Sequence, residues 1–321
     1  MTPTVVIAIL IILFATALFY FKIADHFNII DKPNHRSSHS TVTIRGGGIV
    51  FCIAAILFFL YSDLQYPYFI LGLFLISFIS FLDDLFTLNN KIRLSIHLIA
   101  VVLMFYQLQL FEQSWYWIPV ATLLVIGTIN AYNFMDGING ITGSYSLLIL
   151  CTLYYINKEV VNFTSQNFLI VVGLSLIVFN FFNFRKKAMC FAGDVGSVSI
   201  AFILLFFIAQ LVLKTGDFTY ILLLLFYGLD TVTTIMFRLI RKENIFKAHR
   251  SHFYQFLANE KKWSHLSIST LYLFIQLIAN IIVIFVLKNS MLLFLFFVLG
   301  AASLFLVVRF FFEGKKMLIS K

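Results

Sequence analysis

The chain is a succession of apolar runs, each long enough to cross a bilayer as a helix. They lie near residues 3–22, 46–62, 66–82, 93–111, 115–135, 138–156, 167–184, 197–213, 218–238, 267–287 and 290–311. A helical span needs about 17–25 predominantly apolar residues. Of the 321 residues 61% are hydrophobic and 12% charged, with a mean hydropathy of +0.97. A soluble globular chain is nearer half apolar and about a quarter charged. The expected fold is therefore all-α: a polytopic transmembrane helical bundle of about 10–11 spans, with residues 1–321 forming one integral-membrane domain. The first run carries Ala15-Thr-Ala17, which looks like a signal-peptide cleavage site. Lys22 follows that run rather than preceding it, so a retained span is expected.

Charge orients the bundle. With the N-terminus outside and the spans alternating, every Lys and Arg falls on the inner side except Lys158, Lys214 and Lys288. The positive-inside rule favours this arrangement over its inverse. The net charge of +9 is first a signal of topology. It also suits anionic lipids and anionic substrates, and it does not by itself indicate nucleic acid. Cys52, Cys151 and Cys190 lie in or beside apolar runs without CxxC or metal-type spacing, so no disulfide framework is inferred.

In this topology the polar-rich stretches, Asp31–Gly48, Asp83–Arg93, Asn130–Gly143, Arg185–Ser197 and Arg241–Trp263, all fall on the inner face. The outer loops are short and nearly featureless. A channel or transporter needs polar groups near the midplane. One-sided placement points instead to an enzyme working at the cytoplasmic interface.

Asn130–Gly143 reads NAYNFMDGINGITG between two apolar runs. Asn and Asp supply fixed oxygens for a metal or a nucleotide, and glycines let backbone come close to a ligand. A polar turn whose Asp136 and Asn139 cap the next helix is the plainer reading. Phe81-Leu-Asp83-Asp84 closes the third run, and adjacent carboxylates repel unless a cation or a shared proton relieves them. Neighbours on a helix face different ways, so one is expected to enter a site and one to meet a supporting group. Phe191-Ala-Gly-Asp194-Val-Gly-Ser197 opens the eighth run. Such a turn offers free amides to a phosphate and a carboxylate to a divalent cation, or is simply an N-cap. His249-Arg250-Ser-His252 reads as an anion clamp or as a basic loop against lipid headgroups. Arg45-Gly-Gly-Gly48 is a weaker phosphate cradle. Asp230, inside the ninth run, is a functional or helix-packing group. His97 and the remaining histidines are taken as structural or interfacial.

These motifs, in this order, resemble the polyprenyl-phosphate N-acetylhexosamine-1-phosphate transferases of the glycosyltransferase family 4 type: DKPNHRSSH…RGGG at 31–48, FLDD at 81–84, NAYNFMDGINGITG at 130–143, FAGDVGS at 191–197 and HRSHFYQ at 249–255. The last looks most like the O-antigen-initiating branch. The resemblance implies that a UDP-activated N-acetylated sugar gives its sugar-1-phosphate to undecaprenyl phosphate, with Mg²⁺ (or Mn²⁺), and that UMP leaves. This starts a lipid-linked glycan such as O-antigen, capsule or cell-wall polysaccharide. It implies a multi-pass protein of the bacterial cytoplasmic membrane with cytoplasmic active-site loops and C-terminus, and it is compatible with a homodimer. Carried over motif by motif, Asn133 and Asp194 would ligate the metal. Asp83 and Asp84 would orient or activate the lipid phosphate. Phe191 would stack on uracil, and Asn130, Asp136 and Asn139 belong to the stretch that meets the nucleotide sugar. His249, Arg250 and His252 would bind phosphates or sugar, with Arg45 a candidate for the pyrophosphate. The chain departs from many members at Ser251, where a third His is common, and at Lys187, where Pro is common. The competing reading is a transporter or lipid flippase, for which Asn180, Asp230 and Gln276 are the main midplane polar groups.

Overall fold

The computed structural model describes residues 1–31, 42–86, 88–245, 249–287 and 289–320. Lys32, His35, Arg36 and His39 of the first polar loop lie outside the described residues, as do Lys247, Lys288 and Lys321. Each apolar run is a helix. In chain order they are α1 (Pro3–His26), α2 (Ile49–Tyr61), α3 (Pro67–Phe86), α4 (Asn90–Gln107), α5 (Trp117–Met135), α6 (Ile141–Tyr155), α7 (Gln166–Asn183), α8 (Gly193–Thr215), α9 (Leu225–Ile240), α11 (His265–Ile282) and α12 (Met291–Glu313). Two short helices, α10 (Phe253–Asn259) and α13 (Lys315–Ile319), carry no span. Among the described residues eight segments are long and apolar enough to cross a membrane by length and composition. Helix α2, with 13 residues, is too short to meet that criterion.

Local chemistry starts and stops the helices. Pro3 and Pro67 stand at first-turn positions, where the missing N–H costs nothing. Asn89, Ser264 and Ser290 cap α4, α11 and α12 by accepting from backbone amides. Helix α8 forms the centre: 83% of its most apolar window is buried, against 6% for α12, which lies at the periphery. Polar side chains inside the bundle bond to each other or to backbone. Ser77 of α3 meets Ser199 of α8 at 2.7 Å. Gln276 of α11 accepts from Phe226 N at 2.9 Å and donates to Leu222 O at 3.0 Å. It thereby satisfies the backbone where a tight 3₁₀ turn, Phe218–Leu224, passes into α9. Irregular backbone at membrane depth needs such partners. Gln276 is therefore bound into the fold, which removes one support for the transporter reading. Asp230 is likewise used internally, as described below.

At one end of the bundle a minimal antiparallel pair, β1 (Ile30–Asp31) with β2 (Thr43–Ile44), joins the α1–α2 connection to the loop before α8. Phe191 N donates to Ile44 O at 2.8 Å, and Gly47 N and Gly48 N donate to Phe191 O and Ala192 O. The starts of α2 and α8 then cross almost in contact. A Cβ on Gly48 would collide with the Gly196 Cα, so only glycine fits there.

Candidate active site at one end of the bundle

Three helix ends meet in a ladder of charges. Helix α3 continues four residues past the expected end of its run, which places Asp83 and Asp84 in its last turns. Asp84 is fully buried. Its Oδ1 accepts from Asp194 N at 3.0 Å and pairs with Arg45 Nε at 2.7 Å, and its Oδ2 accepts from Val195 N at 3.1 Å. This carboxylate caps α8 from a neighbouring helix. The expected free amides of the FAGD turn are thus occupied, and so are those of Gly47 and Gly48. Neither loop cradles a phosphate through these backbone groups, and Asp194 is not its own helix's cap. Gly193, at φ +72°, leaves the room the Asp84 carboxylate needs.

Asp83 turns the other way. Its Oδ1 accepts from Leu88 N at 2.6 Å and its Oδ2 pairs with Arg93 Nη1 at 2.7 Å. The same Arg93 nitrogen lies 3.6 Å from Asp194 Oδ2, while Arg45 Nη2 lies 3.2 Å from Asp194 Oδ1. Two guanidiniums therefore tie together Asp83, Asp84 and Asp194. Burial works against the charge on Arg45, but the Asp84 and Asp194 carboxylates outweigh it and hold its pKa above the usual value.

Beside the ladder lies a cavity of about 500 Å³, its open mouth included, lined by Arg45, Asn133, Asp136, Phe191, Asp194 and Ser197. Asp31, Gly137, Ile138 and Gly193 complete the wall. The Asn133 amide donates to Ser197 Oγ at 3.2 Å, fixing its orientation across from α8. Asp136 follows the last residue of α5 and is crowded by protein atoms. Burial pushes its carboxyl up to about 7. The donors facing this space suit a hard divalent cation. Among the described residues no three His, Cys, Asp or Glu side chains form a ready metal cage. Mg²⁺ does not need one, since one or two protein oxygens plus substrate phosphates and water complete its shell. The Asp194 carboxylate and the Asn133 amide provide that minimal set.

The other motif residues do not line the cavity. Asn130 donates to Ile126 O of its own helix at 2.9 Å. Asn139 clamps the Arg185 and Lys186 carbonyls at 2.9 and 3.2 Å, and its carbonyl oxygen accepts from Ser269. It therefore braces the loop before α8. His249 and His252 stack at 5.1 Å, with Phe134 of α5 6.1 and 6.3 Å from their rings. Burial pulls the His249 imidazole down to about 4. Arg250 lies 3.5 Å from Glu260. Tyr254 joins this loop to the site by donating to Phe134 O at 2.9 Å.

Three residues at the site lie in the polar stretches singled out from the sequence but were given no role there. Arg93 sits in the first turn of α4, and its position ten residues after Asp83 was the available signal. Ser197 follows Asp194 by one helical turn. Asp31 opens the first polar loop and reaches the cavity wall through the β1–β2 pair.

Residues 66–212 match the family model described as glycosyl transferase family 4. Over this stretch, a little under half of its length, the chain is similar to this family. The match covers α3 to α8, and so contains Asp83, Asp84, Asn133, Asp136 and Asp194. The chain is 26% identical over 278 residues to a probable undecaprenyl-phosphate N-acetylglucosaminyl 1-phosphate transferase of Bacillus subtilis, covering 78% of this chain and 76% of the relative. It is 27% identical over 276 residues to the undecaprenyl-phosphate alpha-N-acetylglucosaminyl 1-phosphate transferase of Escherichia coli, covering 77% and 74%. A phospho-N-acetylmuramoyl-pentapeptide-transferase of Thermotoga maritima is 26% identical over 259 residues, covering 74% and 82%. These relatives align with most of the chain, beyond the stretch that the family model covers.

Proposed function

We propose that this chain transfers an N-acetylated sugar-1-phosphate from a UDP-sugar to undecaprenyl phosphate. A lipid-phosphate oxygen attacks the β-phosphorus of the donor, an O–P bond forms there, and the bond to the bridging oxygen breaks. The electron pair leaves with UMP. The observation that carries the reading is the convergence of Asp194, Asn133, Arg45 and Phe191 on one polar cavity beside paired arginines. The relatives' names supply the class of acceptor.

Phosphoryl transfer is mostly positioning and charge neutralisation. Asp194 and Asn133 would hold Mg²⁺, which when bound neutralises charge on the donor's pyrophosphate. Arg45 and Arg93 stand where they can exchange a carboxylate for a phosphate oxygen, a partner guanidinium binds in the same forked geometry. Phe191 gives a face for uracil, and Asp136 an acceptor for the nucleotide sugar. Asp83, held between Leu88 N and Arg93, is the carboxylate nearest in role to orienting the lipid phosphate. Asp84 supports the site from beneath.

The decisive test is to incubate purified protein with undecaprenyl phosphate and a panel of UDP-sugars and to identify both products. UMP and a lipid diphosphosugar are expected. Release of UDP would mean simple glycosyl transfer and would overturn the reading. Metal dependence is checked in the same assay: chelation should abolish turnover and added Mg²⁺ should restore it.

A further inference from the structure

Asp230 of α9 is fully buried, and it gathers five donors. Phe253 N and His252 Nδ1 lie 3.0 and 3.2 Å from Oδ1, with Thr234 Oγ1 also at 3.2 Å. Tyr272 Oη of α11 and Tyr254 N lie 2.6 and 3.3 Å from Oδ2. The carboxylate therefore holds the first turn of α10 and the ring of the residue before it. Behind it, buried Arg309 of α12 fixes the same loop by donating to Ser251 O at 3.0 Å.

His252 is only 2% exposed, and its ring has two distinct ends. The capping box of α10 also brings the Gln255 N–H to this ring as a donor, so that amide and the Asp230 carboxylate compete for Nδ1. The carboxylate is the charged and stronger partner, and two facing acceptors would repel, so Nδ1 carries the proton. Nε2 is then the lone-pair nitrogen. Nε2 is buried and has no partner among the described residues, and neither has His249 Nδ1 on the stacked ring. Buried polar atoms are rarely left unpaired, and two together on facing rings mark a place for something from outside the chain.

We propose that Asp230 is a positioning residue: through Nδ1 it holds the His252 ring so that Nε2 is the nitrogen that meets substrate. The proposal rests on the phosphosugar-transferase reading, in which the histidine loop contacts phosphate or sugar. A carboxylate behind an imidazole sets both its orientation and its tautomer, and losing such a support costs about 10–100-fold in activity.

The test is a double-mutant cycle on the full-length membrane protein, using Asp230→Asn and His252→Asn. Asn is a good N-cap, so the second change keeps α10 started while removing the ring. Turnover and KM for the UDP-sugar are read for both singles and the double, together with melting temperature. If Asp230 acts through His252, Asp230→Asn lowers kcat about 10–100-fold, and the double variant loses no more than His252→Asn alone. A purely structural role would make the two losses multiply, and that result overturns the proposal. Should Asp230→Asn not fold, Asp230→Glu keeps the charge but displaces it, and must show the same non-additivity. If neither Asp230 variant folds while His252→Asn does, Asp230 is a folding residue and the proposal falls. The wild-type products are read first. UDP in place of UMP sinks the reaction class, whereas multiplying losses with UMP as product sink only the role of Asp230.

Discussion

Asp136 carries the costliest charge in the cavity wall. Burial raises its pKa to about 7, well above an ordinary carboxylate, so the folded state favours the neutral acid. Between about pH 4 and pH 7 the folded protein keeps a proton that the unfolded chain has released. Stability from this group is therefore full below that window and lost as pH rises through it. Asp136→Asn removes the burden of the charge. The variant should melt at nearly the wild-type temperature at about pH 4 or below and several degrees above it at about pH 8, read by thermal unfolding in detergent. Equal shifts at both pH values would mean that Asp136 does not titrate there. At this scale the sequence was a partial guide. Gly-flanked Asp194 and the Asn–Asp stretch at a span end were readable as candidates because polar groups are costly at that depth, and Asn133, Asp136 and Asp194 do line the cavity. Arg93 and Asp31 were not, because their roles depend on which helix ends adjoin, and spacing along one chain does not contain that.

The start of α8 separates two aspartates that look alike in sequence. Asp84 caps this helix through two amides and pairs with Arg45, which is about one-third exposed and keeps Asp194 as a second partner. Losing a cap costs about 1 kcal/mol, and the partly exposed ion pair adds little. Asp84→Asn should therefore lower the melting temperature by a few degrees. Asp194, which is partly exposed and contributes no cap, should tolerate Asn with a nearly unchanged melt. Its turnover should fall about a hundredfold or more, the scale for losing one charge-stabilising contact to a transition state. Melting curves and UMP release on both variants decide this, and the reverse pattern would exchange the two roles. The sequence anticipated that one of the Asp83–Asp84 pair would meet a supporting group. It could not say that the support is a helix cap supplied from α3, because a cap from another helix leaves no local pattern. The short α10 was equally hidden, lying inside a polar loop without an apolar period of its own.

Across the whole molecule, the apolar runs were legible almost one for one, since hydrocarbon demands long stretches with all backbone bonds internal. Their ends were less so. Helix α3 extends through its Asp pair and α8 begins at Gly193, because buried partners tolerate charge where composition alone would end a span. The orientation expected from charge has a direct test. In a Cys151→Ser background, Lys158→Cys should react with a membrane-impermeant thiol reagent in intact cells, and Lys262→Cys only after lysis. The opposite labelling would invert the bundle and move the cavity to the outer face.

Under the proposed phosphosugar transfer, the Arg45–Arg93 ladder sets the order in which a metal ion and a nucleotide sugar would enter. Two guanidiniums already neutralise most of the charge on three carboxylates. A lone metal ion arriving at Asp194 competes with both arginines, and a lone pyrophosphate has to draw an arginine from its carboxylate and leave that anion uncompensated. When the two arrive together, each displaced group finds a new counter-charge at once, so the exchange is a swap of ion partners with no change in local charge. On that proposal the site would behave as an ion exchanger that admits a metal–nucleotide salt more readily than either of its ions.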